Sequence, residues 1–515
     1  MRTFLSFLLA ASVPMAALAQ PQADCANLAN LRIPGSRLEI TRAEWIPAGS
    51  IEGRGGAPRT ALPAHCRVEG VLDQRTGVGG KTYGIGFAIS LPENWSGRFL
   101  QMGGGGLNGS VATPVGGQNA GDTPALARGY AVISTDGGHK GSGAFDGSFM
   151  QDQQAVLDFE YVAIGRVAVL ARQIIEAYYQ KPPEHSYYVG CSTGGREAML
   201  MTERYPLYFD GVVAGAPAQR TGLSNLADRT VAVALNRIAP TGADGRPVPG
   251  GALSDGDRKA VVNKLLEVCD GLDGVKDGMI FDTLGCTFDP AMLACKGPKA
   301  EGCLSAEQVS AIKKGFAGPK DSRGSQVYPG FFFDTGITAT QGIPGLLAGG
   351  NSPVGPRTPP VDQDVDMEAA AARGNPASQI GDSSSWTNLS TFFGHGGKLI
   401  FFHGVSDPWF SPKDTIDYYE RLTAANGGVD KVMESSRLFL SPGMGHCGGG
   451  AAALDNFDML TAISNWVEKG AAPASVNATG RAFPGRSRPL CAYPAHAQYK
   501  GQGDPEDAAN YVCKR

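Results

Sequence analysis

Charge is what this sequence has least of. Asp, Glu, Lys and Arg make up only 18% of its 515 residues and the formal net charge is -4, so there is no basic surface to neutralise a phosphate backbone. That excludes nucleic acid as a partner. Metal-cluster spacing is also missing: no two cysteines stand as C-x-x-C and no His-x-His pair accompanies them, which argues against zinc. After the first twenty residues no stretch reaches the roughly 18 consecutive apolar residues that span a bilayer.

Turn formers are abundant instead. The chain carries 72 glycines and 34 prolines, a turn-rich composition that still lies below the range of low-complexity chains. With 42% hydrophobic residues, a large core is expected. Arg2, the apolar run Phe4 to Ala11 and Ala17-Leu18-Ala19 follow the pattern of a secretory signal peptide over residues 1–19, cleaved near Ala19. The ten cysteines fit five disulfides in an oxidising compartment. A secreted or periplasmic protein is expected.

Strand and helix signals alternate along the chain. Strands are predicted over Gly97 to Met102, Tyr130 to Ser134, Ser186 to Val189, Gly211 to Ala214, Lys398 to Phe402 and Arg437 to Leu440. Helices are predicted over Gln154 to Tyr179, Arg196 to Arg204, Pro412 to Ala425 and Ala452 to Glu468. This order implies an α/β fold with a mostly parallel sheet covered on both faces. Residues 217–386 break the rhythm: they are rich in Gly, Pro and Asp and hold four of the cysteines. Too long for a bare loop, they read as a loop-rich inserted lid, leaving 20–216 and 387–515 as the catalytic domain.

The strongest chemical signal is Gly190-Cys191-Ser192-Thr193-Gly194, a G-x-S-x-G between a predicted strand and helix, as a nucleophile elbow requires. A serine needs a base and the base an orienting acid. His446 follows the strand Arg437 to Leu440, and Asp407 follows the strand Lys398 to Phe402. The chain order Ser, Asp, His is that of the α/β-hydrolase fold. His403 precedes the acid and His139 precedes the nucleophile, so both rank lower as bases and read as structural or pocket-lining. Asp414 and Asp417 fall on a predicted helix and read as solvated charges. Cys191 precedes the serine and Cys447 follows the histidine, so a serine and histidine within hydrogen-bond reach would bring these cysteines to disulfide distance.

The Cys-Ser, Asp, His-Cys arrangement resembles the tannase and feruloyl esterase family, which also includes mono(2-hydroxyethyl) terephthalate hydrolases. The resemblance covers nearly the whole chain after the signal peptide. It implies an α/β-hydrolase fold with a large inserted lid, and hydrolysis of aromatic esters such as feruloyl or galloyl esters. It also implies the disulfides Cys25 with Cys66, Cys191 with Cys447, Cys269 with Cys286, Cys295 with Cys303, and Cys491 with Cys513; the cysteine count alone leaves other pairings open. Between Cys269 and Ile280, three aspartates among glycines offer hard oxygen ligands. Val275 and Leu284 depart from the EF-hand pattern. The resemblance implies a structural Ca²⁺ in the lid, held by Asp270, Asp273 and Asp277 and the carbonyls of Val275 and Met279, with no organic cofactor.

The chemistry expected is attack by Ser192 on an ester carbonyl, with the oxyanion held by the N–H of Thr193 and of Gly104 or Gly105. The expected partner is a small aromatic ester. Tyr328, Phe331, Phe332, Phe333 and Trp386 are the lid aromatics, expected mostly to fill its core. Two alternatives stand beside this reading: a terephthalate monoester hydrolase, and a catalytically silent secreted binding protein, against which the intact triad argues.

Overall fold

The computed structural model describes residues 20–52, 59–340, 343–348 and 359–515. The predicted signal peptide, 1–19, lies outside the described residues.

A nine-stranded sheet runs through the molecule: β1 (Leu38–Ile46), β2 (His65–Thr76), β3 (Thr82–Pro92), β4 (Arg98–Met102), β5 (Ala131–Thr135), β6 (His185–Cys191), β7 (Gly211–Gly215), β8 (Lys398–Gly404) and β9 (Ser436–Ser441). The spatial order is β1-β2-β3-β5-β4-β6-β7-β8-β9. From β5 to β9 every pairing is parallel, whereas β1, β2 and β3 extend the sheet antiparallel. The parallel strands are short apolar runs because both faces are covered. Tyr188, Val212, Leu399 and Phe401 face one core; Tyr187, Val213, Ile400 and Phe402 face the other. The first core is closed by the helices Ala163–Tyr179, Thr193–Arg204 and Pro412–Ala425. The second is closed by Leu460, Ile463 and Trp466 of Met459–Lys469. This is the α/β-hydrolase arrangement.

Several boundaries differ from expectation. The elbow helix starts at Thr193, directly after the serine, rather than at Arg196, so the expected turn Gly190 to Gly195 is compressed into Ser192. The last long helix begins at Met459, where the Asp458 carboxylate caps the N–H of Thr461; the preceding Ala452 to Asp458 stays irregular apart from the short strand Asn456–Phe457. The predicted helix Gln154 to Tyr179 holds a π-helical turn at Asp158–Val162.

The insertion is more helical than its turn-rich composition suggests. It contains the helices Thr221–Asn236, Asp255–Cys269, Ala306–Phe316, Val365–Gly374 and Pro376–Gly381. Two start in capping boxes, Ser254 with Asp257 and Ser305 with Gln308, which satisfy otherwise orphaned N–H groups. Leu226, Val231, Val261, Leu265, Ile312 and Phe316 pack into a core of its own. Five disulfides close the chain with the pairings that the resemblance implied. Among the described residues no helix is long and apolar enough to cross a membrane.

Candidate active site

Ser192 sits between the end of β6 and the first turn of its helix, at φ 65° and ψ -123°. A non-glycine residue holds such a conformation only when its surroundings enforce it. The flanking glycines allow this by close backbone approach: a Cβ on Gly190 would lie 2.3 Å from Gly194 O, and one on Gly195 would lie 2.2 Å from Gly215 O. Ser192 N–H donates to Gly215 O at 3.0 Å, which hangs the elbow on β7. Ser192 is the N-cap of the following helix, whose N-terminal end favours negative charge.

Asp407 stands in the loop after β8 and His446 in the loop after β9. His446 Nδ1 and Asp407 Oδ2 are 2.7 Å apart. Asp407 is fully buried. Its other oxygen accepts from the N–H groups of Trp409 at 2.9 Å and Phe410 at 3.1 Å, an Asx-type turn that Asp407-Pro408 initiates. Burial alone would raise this carboxyl, but His446 and His403 together outweigh it and hold it well below the usual carboxylate range. The Cys191–Cys447 bridge joins the residues next to Ser192 and His446, with Cα atoms 6.0 Å apart. The rings of Trp409 and Phe410 lie 5.5 and 5.2 Å from the His446 ring.

The two competing histidines take other places. His403 is completely buried, with Nε2 2.9 Å from Phe410 O and 3.2 Å from Asp407 Oδ2, and Nδ1 2.9 Å from Thr415 Oγ1. Because a carbonyl only accepts, Nε2 carries the proton. His403 therefore braces the acid at Oδ2, the oxygen that also meets His446, a role its place in the sequence did not disclose. His139 is buried, stacked on Phe149, with Nε2 3.0 Å from Leu107 O. Asp414, expected in solvent, is buried and ion-paired with Arg220; Asp417 is exposed and meets Arg421.

The glycine run lies beside the elbow, but its N–H groups are already committed in a definite order. Gly103 N donates to Val189 O, Gly104 N to Glu197 Oε2 at 2.8 Å, and Gly105 N to Asn108 Oδ1 at 2.7 Å. Gly104 and Gly105, favoured from sequence for the oxyanion, are thus engaged by side chains. Gly106 is the glycine of the run whose N–H meets no acceptor among the described residues. Its carbonyl accepts from the Thr193 hydroxyl. Glu197 is buried, and also accepts from Tyr188 Oη at 2.8 Å.

A cavity of about 520 Å³ opens at Ser192, lined by Gly106, Thr193, Phe145, Phe159, Trp409 and Phe410 among others, large enough for a small aromatic ligand. Two arginines line it, and each is already paired: Arg196 with Glu160 and Arg220 with Asp414. The expected lid aromatics do not line it. Tyr328 and Phe331 are buried in the insertion's core, Phe333 stacks on Phe316, Phe332 lies under Lys413, and Trp386 is exposed. The cavity's aromatic rings come from the catalytic body instead.

In the predicted calcium loop the aspartates fold the chain upon itself. Asp270 Oδ1 accepts from the N–H groups of Asp277 and Gly278, Asp273 from Val275 and Phe281, and Asp277 from Met279. Asp277 also pairs with Arg488. In this arrangement no three metal-ligating side chains converge on one point among the described residues. The donor set nevertheless suits a hard cation. Asp273 is buried, and burial, reinforced by the charges of Asp277 and Asp270, pushes its carboxyl up to about 7, a cost that a dication would relieve.

Comparison with known proteins agrees with this architecture. The family profile described as "Tannase and feruloyl esterase" matches residues 66–348 and 348–514. A mono(2-hydroxyethyl) terephthalate hydrolase from Piscinibacter sakaiensis is 34% identical over 567 residues, covering 97% of this chain and 92% of that protein. A probable feruloyl esterase B-2 from Neosartorya fischeri is 28% identical, covering 96% and 95%. The crystal structure of feruloyl esterase B from Aspergillus oryzae superposes with a TM-score of 0.75 at 27% identity, covering 96% of this chain and 100% of that one.

Proposed function

The chain belongs to the tannase and feruloyl esterase family and is a carboxylic ester hydrolase, and on that premise we propose that it is a secreted serine esterase of phenolic acid esters, such as feruloyl or galloyl esters. The observation that carries the reading is the 2.7 Å contact between His446 and Asp407, with the histidine loop tied by a disulfide to the residue before the strained Ser192. Export is supported by the signal-like N-terminus and the five bridges.

His446 donates a hydrogen bond from its Nδ1–H to Asp407, which leaves Nε2 to take the proton of Ser192 Oγ. The serine oxygen bonds to the ester carbonyl carbon, and the N–H groups of Thr193 and Gly106 receive the oxyanion. Collapse breaks the bond to the alcohol, which leaves with the proton that His446 holds. Water then attacks the acyl-enzyme and gives a proton to His446; collapse breaks the bond to Ser192 Oγ, which takes that proton back as the carboxylic acid is released. The insertion acts as the lid over this cavity. A Ca²⁺ ion in its loop, held by Asp270, Asp273, Asp277 and the carbonyls of Val275 and Met279, would neutralise clustered carboxylates and takes no part in the ester step.

The relative named for terephthalate monoesters makes such a monoester the competing substrate. The paired arginines weigh against it, because an acyl carboxylate would have to displace Glu160 or Asp414. The test is turnover of methyl ferulate, methyl gallate, a terephthalate monoester and p-nitrophenyl acetate by the wild type and by Ser192→Ala. Phenolic esters are expected to be cleaved fastest and the variant to lose about 10⁴-fold or more in kcat. Full activity of Ser192→Ala would overturn the mechanism, and exclusive turnover of the terephthalate ester would overturn the substrate class.

A further inference from the structure

The insertion reaches the catalytic groups through a buried carboxylate that the reaction itself does not use. Asp334 precedes the short turn Thr335–Thr338 and is 1% exposed. Its Oδ2 accepts from Ser406 Oγ at 2.6 Å and from Gly443 N at 2.7 Å. Ser406 is the neighbour of Asp407, and Gly443 lies three residues before His446. One oxygen of the insertion thus receives a hydrogen bond from the acid loop and another from the histidine loop.

Surrounding contacts make this junction tight. Gly336 N donates to Ser406 Oγ at 2.9 Å, and Ser406 N donates to Met444 O at 3.0 Å. A Cβ on Gly336 would lie 2.5 Å from Gly443 O, and one on Gly404 would lie 2.3 Å from Gly445 O. Neither glycine can be enlarged without moving a loop of the proposed triad. Among the described residues the second carboxylate oxygen of Asp334 is buried and meets no side-chain donor, a costly arrangement for a group that merely fastens the insertion down. Apolar packing would do that at less cost.

We propose that Asp334 is a positioning residue for ester hydrolysis, locking the acid loop to the histidine loop so that Asp407 and His446 meet only when the insertion is seated. The inference rests on the triad reading above. It makes the insertion a support of the catalytic groups as well as a cover for the substrate.

Steady-state kinetics of Asp334→Ala, Asp334→Asn and Ser406→Ala in the full chain test it, with p-nitrophenyl acetate and methyl ferulate as substrates. Asp334→Ala is expected to lower kcat on both esters by the same factor, about tenfold to a hundredfold, as a misplaced catalytic group does, with KM within about twofold. Asp334→Asn is expected to recover most of the loss, because its amide oxygen can accept both bonds. Ser406→Ala is expected to lower kcat as well, and to add little to Asp334→Ala in the double variant. If Asp334→Ala does not fold, Ser406→Ala carries the same test. A kcat within about threefold of wild type in folded Asp334→Ala or Ser406→Ala, or an effect confined to KM, would overturn the inference, as would Asp334→Asn no better than Asp334→Ala. Ser192→Ala run alongside separates the two readings: if it is inactive while Asp334→Ala is unimpaired, only the positioning role falls.

Discussion

The sheet-bearing body and the insertion are held together in opposite ways. In the body the Cys191–Cys447 bridge spans 256 residues, and Asp407 meets His446 across 39. In the insertion the bridges Cys269–Cys286 and Cys295–Cys303 span 17 and 8 residues. A chain-entropy estimate gives about 5.5 kcal/mol for the longest closure and about 2.5 kcal/mol for the shortest. The difference is also chemical. The long tie in the body joins the loops of the groups proposed to react, which are remote in sequence, whereas the short staples in the insertion stiffen loops and leave those groups alone. Damage to the two regions should therefore read out differently: body variants should lose kcat, and insertion variants should lose stability, apart from Asp334.

The largest effect expected within the body after loss of the serine itself is that of Asp407→Asn. It should lower kcat by about 10³ to 10⁴ by losing the orientation and tautomer of His446, which steady-state kinetics would show. It should also change acid stability. The folded pKa of Asp407 is depressed below an unfolded value near 4, so its contribution is complete above about pH 4 and is lost as the pH falls toward the folded value. Urea unfolding at descending pH should accordingly show a weaker acid dependence in Asp407→Asn.

Replacing both Cys191 and Cys447 by alanine should come next. We expect kcat to fall by about tenfold or more, because the elbow and the histidine loop lose their tie, together with several kcal/mol of stability. Unchanged kcat in a folded double variant would break the comparison. A smaller effect is expected of calcium removal. Chelation should lower the melting temperature by several degrees, with kcat recovered at assay temperature when Ca²⁺ is returned; a chelator that leaves the melting temperature unchanged would remove the metal from the account. Smallest of all, Cys295→Ala with Cys303→Ala should cost about 2.5 kcal/mol or less and leave kcat within about twofold, sharpening the contrast with the body bridge.

The two regions also differ in how legible they are. The helix Pro412–Ala425 forms over the residues its pattern marks, because Pro at N1, a serine cap and an apolar stripe all agree. The parallel strands and the G-x-S-x-G turn are equally plain, since short apolar runs between turn signals have few alternatives. β1 to β3 left no expectation, although β2 alternates between buried and half-buried positions as a strand should. In the insertion, glycines and aspartates mask helices whose polar faces are long and whose apolar stripe is thin, and packing decides what local propensity does not.

At the site, the side chains proposed to react were readable, while those that surround them were not. Ser192, Asp407 and His446 carry motif and order. His403, Glu197 and Asp334 carry neither, because their roles depend on which atoms the fold brings within 3.2 Å. Gly106 shows the same limit, since four consecutive glycines are alike until their N–H groups find partners.

The most direct test of the central claim is rapid acid quench of the wild-type enzyme during turnover of methyl ferulate, followed by peptide mass spectrometry. A feruloyl adduct is expected on the peptide that carries Ser192, absent from Ser192→Ala. Steady turnover with no adduct, or an adduct on another residue, would contradict it.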